Sequence, residues 1–155
     1  MSAYGELELT LEDHQSAFTE VSFLLEVLVR TAGEVVGKSL PALGANAGRH
    51  MGRKLPVHLD RPDLAAAERA VAGRLGAGFD IQGACAGQGA DLTIGRCALR
   101  EVCRSRGLEV GGELCRVFHH YHAGMIAQLL GRPVRAGAVQ AGDPCSVHLD
   151  AQGGA

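Results

Sequence analysis

The sequence predicts a mixed α/β fold of the α+β kind, with an antiparallel sheet of about four strands packed against helices. Three observations predict it. Long segments with the apolar period of helices alternate with short segments whose period is two, as in strands. Glycine-rich or proline-containing turns separate these segments. The order of helices, hairpin, helices, hairpin favours an antiparallel sheet covered by helices.

The first half of the chain is predicted to be mainly helical. Residues 16–36 carry apolar side chains on most sides, which is typical of a helix that is central in its domain or buried in a dimer. Residues 40–53 form a second helix with a stripe of three glycines, Gly44, Gly48 and Gly52. Such a stripe suits close packing of another helix or the wall of a ligand cavity. A third helix starts near Asp60–Asp63 and ends near Gly76 or Gly78.

The second half alternates between strands and helices. Residues 79–94 are predicted to form a hairpin around a glycine-rich loop, followed by a short helix at 97–106. A long helix at 113–130 ends at a glycine. Strands at 134–140 and 145–149 complete the domain.

Composition excludes several classes of protein. The 155 residues suit a single domain, 1–155, whose ends at 1–15 and 151–155 we expect to be flexible. A net charge of −2 with scattered basic residues does not predict a nucleic-acid surface. The N-terminal residues lack the pattern of a signal peptide, and no apolar run is long enough to span a membrane. We therefore expect a cytoplasmic protein, in which five cysteines are ligands, redox thiols or core residues rather than disulfides.

Four of the cysteines are predicted to form a metal or redox site, since each lies at or near the end of a predicted element. They are Cys97, Cys103, Cys115 and Cys145. Their spacing differs from the tight pairs of zinc ribbons. Thiolates without nearby carboxylates suit a four-iron (4Fe–4S) iron–sulfur cluster or zinc. The alternative is that they are inert core residues. Cys85, in the glycine-rich hairpin, is predicted to be a bystander.

Histidines follow one of these cysteines along the long helix. Cys115, His119 and His122 fall on one flank, which could hold a metal or line a pocket with neutral imidazoles. Partly exposed or hydrogen-bonded histidines are the alternative. We expect four residues to border a cavity for an apolar or tetrapyrrole-like ligand: His119, His122, Met125 and Gly48.

Four features between Gly112 and Leu149 form a recognisable set. They are Cys115, the helical Tyr121-His-Ala-Gly-Met-Ile, then Gly131-Arg-Pro-Val, and the closing Gln140-Ala-Gly-Asp-Pro-Cys-Ser-Val-His-Leu. With these features the stretch resembles the 4-vinyl-reductase-like domain, a small-molecule-binding family that shares its fold with TRAPP vesicle-tethering subunits. The resemblance implies helices against an antiparallel sheet, often in a dimer. It also implies the binding of hydrocarbons, phenols or tetrapyrroles, or the sensing of redox state.

The resemblance also bears on the ligands of a metal. Some members bind zinc through a helix cysteine, a late Glu-x2-Cys and a final cysteine, and Cys115 and Cys145 match the first and last of these. Residues 134–141 contain neither Glu nor Cys. Cys97 and Cys103 would then supply the missing ligands, which favours an iron–sulfur cluster over zinc.

The leading functional hypothesis is a metal-containing sensor or small-molecule-binding module. It would signal through a homodimer interface or a partner protein, because the chain is too short to carry a DNA-binding domain as well. One alternative is a redox enzyme or assembly factor that acts on a tetrapyrrole or metal cofactor. The other is a metal-free TRAPP-like adaptor.

Overall fold

A computed structural model describes residues 9–153 of the chain; residues 1–8 and 154–155, which belong to the ends expected to be flexible, lie outside this part. The mixed α/β class and the antiparallel sheet of four strands are confirmed. In chain order the elements are α1 (Leu11–Val36), a 3-10 turn (Gly37–Ser39), α2 (Leu40–Gly52), α3 (Leu64–Leu75), β1 (Phe79–Ala86), β2 (Gly89–Cys97), α4 (Ala98–Arg106), α5 (Glu113–Leu130), β3 (Val134–Ala136) and β4 (Cys145–Ala151).

Capping side chains determine where two helices begin. α1 starts five residues earlier than predicted, because Thr10 and Asp13 form a reciprocal capping box. The Asp13 amide donates to Thr10 Oγ1 over 3.1 Å, and the Thr10 amide donates to Asp13 Oδ2 over 2.8 Å. Asp63 caps α3 by accepting a hydrogen bond of 2.8 Å from the Ala66 amide.

The sheet has the strand order β1-β2-β4-β3 with every neighbouring pair antiparallel. Ala90, Leu92 and Ile94 of β2 are buried while the residues between them are more exposed, so one face of the sheet is covered. Helices α3 and α5 pack against this face. The hairpin turns at Gly87 and Gln88, so its strands extend through the glycine-rich segment that was predicted to be a loop. β3 ends at Ala136, four residues before its predicted end.

The glycine stripe of α2 lies against the backbone of α5. A Cβ atom at Gly48 would collide with the carbonyl oxygen of Tyr121, and one at Gly44 would collide with that of Val117. From the other side, Gly124 of α5 lies against the carbonyl of Ala45. The prediction of close helix packing is therefore confirmed, because only glycine allows two backbones to approach this closely.

The buried side chains form two clusters. The larger one lies between the sheet and helices α3 and α5. The smaller one lies where α4 meets the start of α5, and it contains Leu99, Leu114, Cys103 and Cys115. Over residues 9–153, none of the helices has both the length and the apolar character that a lipid bilayer requires.

Candidate functional site

Two buried thiols lie side by side in the smaller cluster. Cys103 is near the end of α4 and Cys115 is in the first turn of α5. The chain reverses between these helices at Gly107, which adopts φ 65°. The reversal brings the two Sγ atoms to a separation of 4.0 Å. Both side chains are buried, so this pair is shielded from solvent.

Cys97 shares the surroundings of this pair. It occupies the N-cap position of α4, without a capping hydrogen bond from its side chain, and is half-buried between the two clusters. Burial, together with the neighbouring Cys115 and Cys97 thiols, raises the pKa of Cys103 to about 12. Burial also raises the pKa of Cys97, and hydrogen bonding to the backbone amides of Arg100 and Leu99 partly offsets this rise. Cys97 and Cys103 are therefore protonated at neutral pH and weak nucleophiles unless a metal displaces the proton.

Cys145 has different partners. Its Sγ accepts a hydrogen bond of 3.3 Å from Arg100 Nη2 and donates one of 3.2 Å to the carbonyl of Gly142. Arg100 is itself buried and donates to the carbonyls of Ile94 and Gly95 over 3.1 and 2.9 Å. It also pairs with Asp143 over 2.9 Å. This arginine thus joins the end of β2 to the turn before β4.

The four predicted ligands are thus arranged as three plus one. Cys97, Cys103 and Cys115 affect one another electrostatically, whereas Cys145 is bonded to Arg100. As the side chains stand in residues 9–153, no three His, Cys, Asp or Glu are grouped so that they could hold a metal ion. Cys85 lies on β1, beside Glu68. It is six residues along this strand from Phe79, which is the residue that pairs with Cys97.

His119 and His122 are both buried residues of α5. Within residues 9–153, Nδ1 of His119 and both ring nitrogens of His122 have no hydrogen-bond partner. Burial lowers the pKa of His119 to about 4 and that of His122 to about 3, so both rings are neutral at pH 7. Met125 is fully buried in the same helix, and Gly48 packs directly against the backbone of α5. None of these four residues lines the apolar groove described next.

An apolar groove of about 330 Å³ lies between α1, α2, α4 and the first half of α5. Its walls include Leu28, Leu43, Leu99, Leu114, Phe118 and Tyr121. Nearly all of the lining surface is apolar, as expected of a site for an apolar small molecule. The groove was not predicted from the sequence, although the apolar period of α1 is the signal that could have indicated it.

The groove and the thiols share a wall. Leu99 and Leu114 line the groove and also belong to the buried cluster that contains Cys103 and Cys115. Phe118 lines the groove and packs on the same cluster from its edge. A change on one side of this wall therefore alters packing on the other, because protein interiors are closely packed.

Comparison with known proteins does not assign a family. No protein-family model matches the chain, and a search of curated proteins finds no significant match. The geometry of the thiols and of the groove is therefore the basis for proposing a function.

Proposed function

We propose that this chain is a sensor or small-molecule-binding module in which a thiolate metal centre lies behind an apolar groove. Cys97, Cys103 and Cys115 would hold the metal, with Cys145 as the candidate fourth ligand. The groove would take an apolar or tetrapyrrole-like ligand. The observation that supports the proposal most directly is the 4.0 Å separation of the Cys103 and Cys115 sulfurs behind the groove wall. The resemblance of residues 112–149 to the 4-vinyl-reductase-like domain is in line with it.

The sulfur separation bears on the kind of metal. Zinc–sulfur bonds of about 2.3 Å in a tetrahedron put two ligand sulfurs about 3.8 Å apart. The observed 4.0 Å is close to this value. Cysteines of a four-iron cluster each bind a different iron, so their sulfurs lie farther apart. The pair therefore favours zinc, whereas the sequence pattern favoured the iron–sulfur cluster.

The raised pKa values of Cys97 and Cys103 are compatible with a metal centre. A metal binds thiolates, so loading would release protons and depend on pH. The bound metal would supply fixed positive charge in an apolar region, which stabilises the thiolates there. The protein's own contribution is to hold the sulfurs on two helix ends and exclude water from them.

The shared wall is the basis for the sensor function. A ligand in the groove would contact Leu99, Leu114 and Phe118, which pack on the thiol cluster. Ligand binding and the state of the thiols can therefore influence each other, and thermodynamic linkage makes the effect reciprocal.

A metal-free adaptor is the second candidate. It is favoured by the bonds between Cys145 and Arg100, which occupy one of the four thiols. In this case the thiols are inert parts of the core, a role to which buried cysteine is well suited.

Metal analysis after anaerobic purification separates the two candidates. A colourless protein with about one zinc per chain supports the proposal, and a brown protein with about four irons supports its cluster version. We expect Cys103→Ser and Cys115→Ser to lose the metal. Cys85→Ser is the matched control and should keep the metal, because Cys85 lies on β1 and packs against the larger cluster, which does not contain Cys103 or Cys115. A folded wild-type protein without stoichiometric metal contradicts the metal centre.

A neutral fluorescent probe, N-phenyl-1-naphthylamine, tests the groove. Ala47 lines the groove and is exposed, so Ala47→Phe should fill the space and abolish probe binding. Ala47→Ser is the control and should retain it. Equal binding by both variants would show that the probe binds elsewhere.

A further inference from the structure

Helix α1 exposes most of its large apolar side chains. Leu25, Val29 and Ala32 face the groove, and Ser22 is the buried residue of the helix. Other large apolar residues of α1 remain more than 40% exposed within the part of the chain that the structure describes: Leu11, Phe18, Val21, Phe23, Leu24, Val27, Leu28 and Val35. An apolar surface of this extent on one helix is typical of an interaction site.

The outer side of α1 carries a regular stripe that we call the seam. It consists of Ala17, Val21, Leu24, Leu28, Thr31 and Val35. Their spacing alternates between four and three residues, which is the 3.5-residue repeat of a two-helix coiled coil. All six positions are exposed, and Val35 reaches 79%. The helix therefore has a second packing surface in addition to the one that faces its own domain.

We propose that the seam binds the seam of a second copy of this chain, with the two α1 helices antiparallel. The two-fold axis passes the midpoint of the seam. Leu24 of one copy then meets Leu28 of the other, and Ala17 meets Val35. Ala17 thus faces the larger Val35, and the two leucines pack against each other near the two-fold axis. This inference does not depend on the metal or on the ligand of the groove.

The exposed apolar area matches what a dimer needs. Five seam-side residues of α1 and α2, namely Val21, Leu24, Leu28, Val35 and Leu43, are each between 44% and 79% exposed, and Val27 adjoins them at 46%. At roughly 150 Å² for each fully exposed large residue, they present about 500 Å² per copy. Two copies would bury about 1,000 Å² of apolar surface, the total that a specific interface requires.

Charge favours the antiparallel orientation. The first turn of α1 contains Glu12 and Asp13, and Lys38 follows directly after its C-terminal end. Antiparallel pairing brings these acidic residues of one copy near Lys38 of the other, and it opposes the two helix dipoles. Parallel pairing would instead place the acidic first turns of the two copies side by side.

The second copy would also close the groove. Leu28 belongs both to the seam and to the groove wall, and Leu43 flanks the opening from α2. A helix laid along the seam covers this side of the groove, so that the cavity of about 330 Å³ becomes enclosed. The ligand site is therefore complete only in the dimer.

Sedimentation velocity across a dilution series tests the proposal. We expect a dimer at micromolar concentration and at least a 100-fold weaker dissociation constant for the double variant Val21→Glu/Leu24→Glu. Both positions are exposed in the single chain, so the variant should stay folded and keep its metal content. Thr19→Glu is the control, because Thr19 is exposed on the opposite side of α1 and should leave the dimer intact.

Cross-linking tests the orientation. A mixture of the Leu24→Cys and Leu28→Cys proteins should form disulfide-linked dimers faster than either protein alone. Faster linkage of the position-24 protein with itself would overturn the antiparallel arrangement. A wild-type chain that stays monomeric at 100 µM would overturn the interface altogether, and would leave the seam to residues 1–8 or to a different protein.

Discussion

The close contact between α2 and α5 gives a sharp test at Gly48. An added Cβ would meet the Tyr121 carbonyl oxygen, the Tyr121 carbonyl carbon at 2.8 Å and the Gly124 Cα at 3.0 Å. All three are backbone atoms that cannot rotate aside. The Gly48→Ala variant must therefore push the two helices apart along their whole contact.

Two opposing effects determine the size of the change. Replacing glycine by alanine in a helix gains about 1 kcal/mol of propensity. Overpacking costs typically about 1–3 kcal/mol and more where the backbone must move, so we expect a net loss of about 1–3 kcal/mol. For a domain of this size the melting temperature should fall by roughly 3–10 °C.

Thermal and urea unfolding of Gly48→Ala and Gly73→Ala measure this effect. Gly73 is also in a helix, but it is exposed and has no atom within 4 Å of an added Cβ. Gly73→Ala should therefore be about 0.5–1 kcal/mol more stable than the wild type. If Gly48→Ala is as stable as Gly73→Ala, the reasoning about backbone contact is refuted.

Three further predictions follow from the buried polar groups and caps. Arg100→Ala should lower the free energy of unfolding in urea by about 3 kcal/mol or more, since the carbonyls that accept hydrogen bonds from Arg100 lose this donor. Arg104 is exposed, so Arg104→Ala should lower it by under about 0.5 kcal/mol. Asp63→Ala should cost about 1 kcal/mol and Asp63→Asn much less, because asparagine also caps helices. Below pH 6.5, His119 and His122 bind protons in the unfolded chain but stay neutral in the folded state, where their pKa values are about 4 and 3. Each of these two residues should therefore lower stability by about 1.4 kcal/mol per pH unit as the pH falls from about 6 to 4. His122→Leu should reduce the slope of stability against pH by that amount, and an unchanged slope would contradict this.

Most of the elements could be predicted from the sequence because local patterns determine them. The apolar period and the glycine at its end located α5 at residues 113–130 to the residue. The boundaries that differ depend on less local features. α1 extends to Leu11 through the Thr10 capping box, and β3 stops at Ala136 because only an isolated bridge, between Gln140 and Ser146, continues its pairing.

The candidate site was less predictable because it depends on contacts between distant segments. Cys103 and Cys115 are 12 residues apart, and the turn between their helices brings them together. The partner of Cys145 could not be predicted, since it depends on the register that pairs Cys145 with Ile94 and so brings Arg100 within reach. A buried arginine also contradicts its usual preference for the surface, so composition gives no signal for it.

The dual character of α1 links the thiols to the proposed dimer. Its sequence is compatible with a helix that is central in a domain or buried in a dimer, and the structure supplies one surface for each role. Leu114 touches the thiol cluster and the groove, and Leu28 touches the groove and the seam. Leu25 and Val29 of α1 also pack against the thiol cluster, so a change at the thiols can reach the helix that carries the proposed dimer surface. If the route carries energy, removing the proposed metal with a chelator should shift the dissociation constant of the proposed dimer, and dimerisation should alter metal affinity by the same factor. Equal dissociation constants with and without metal would instead mean that the three features share helices but not function.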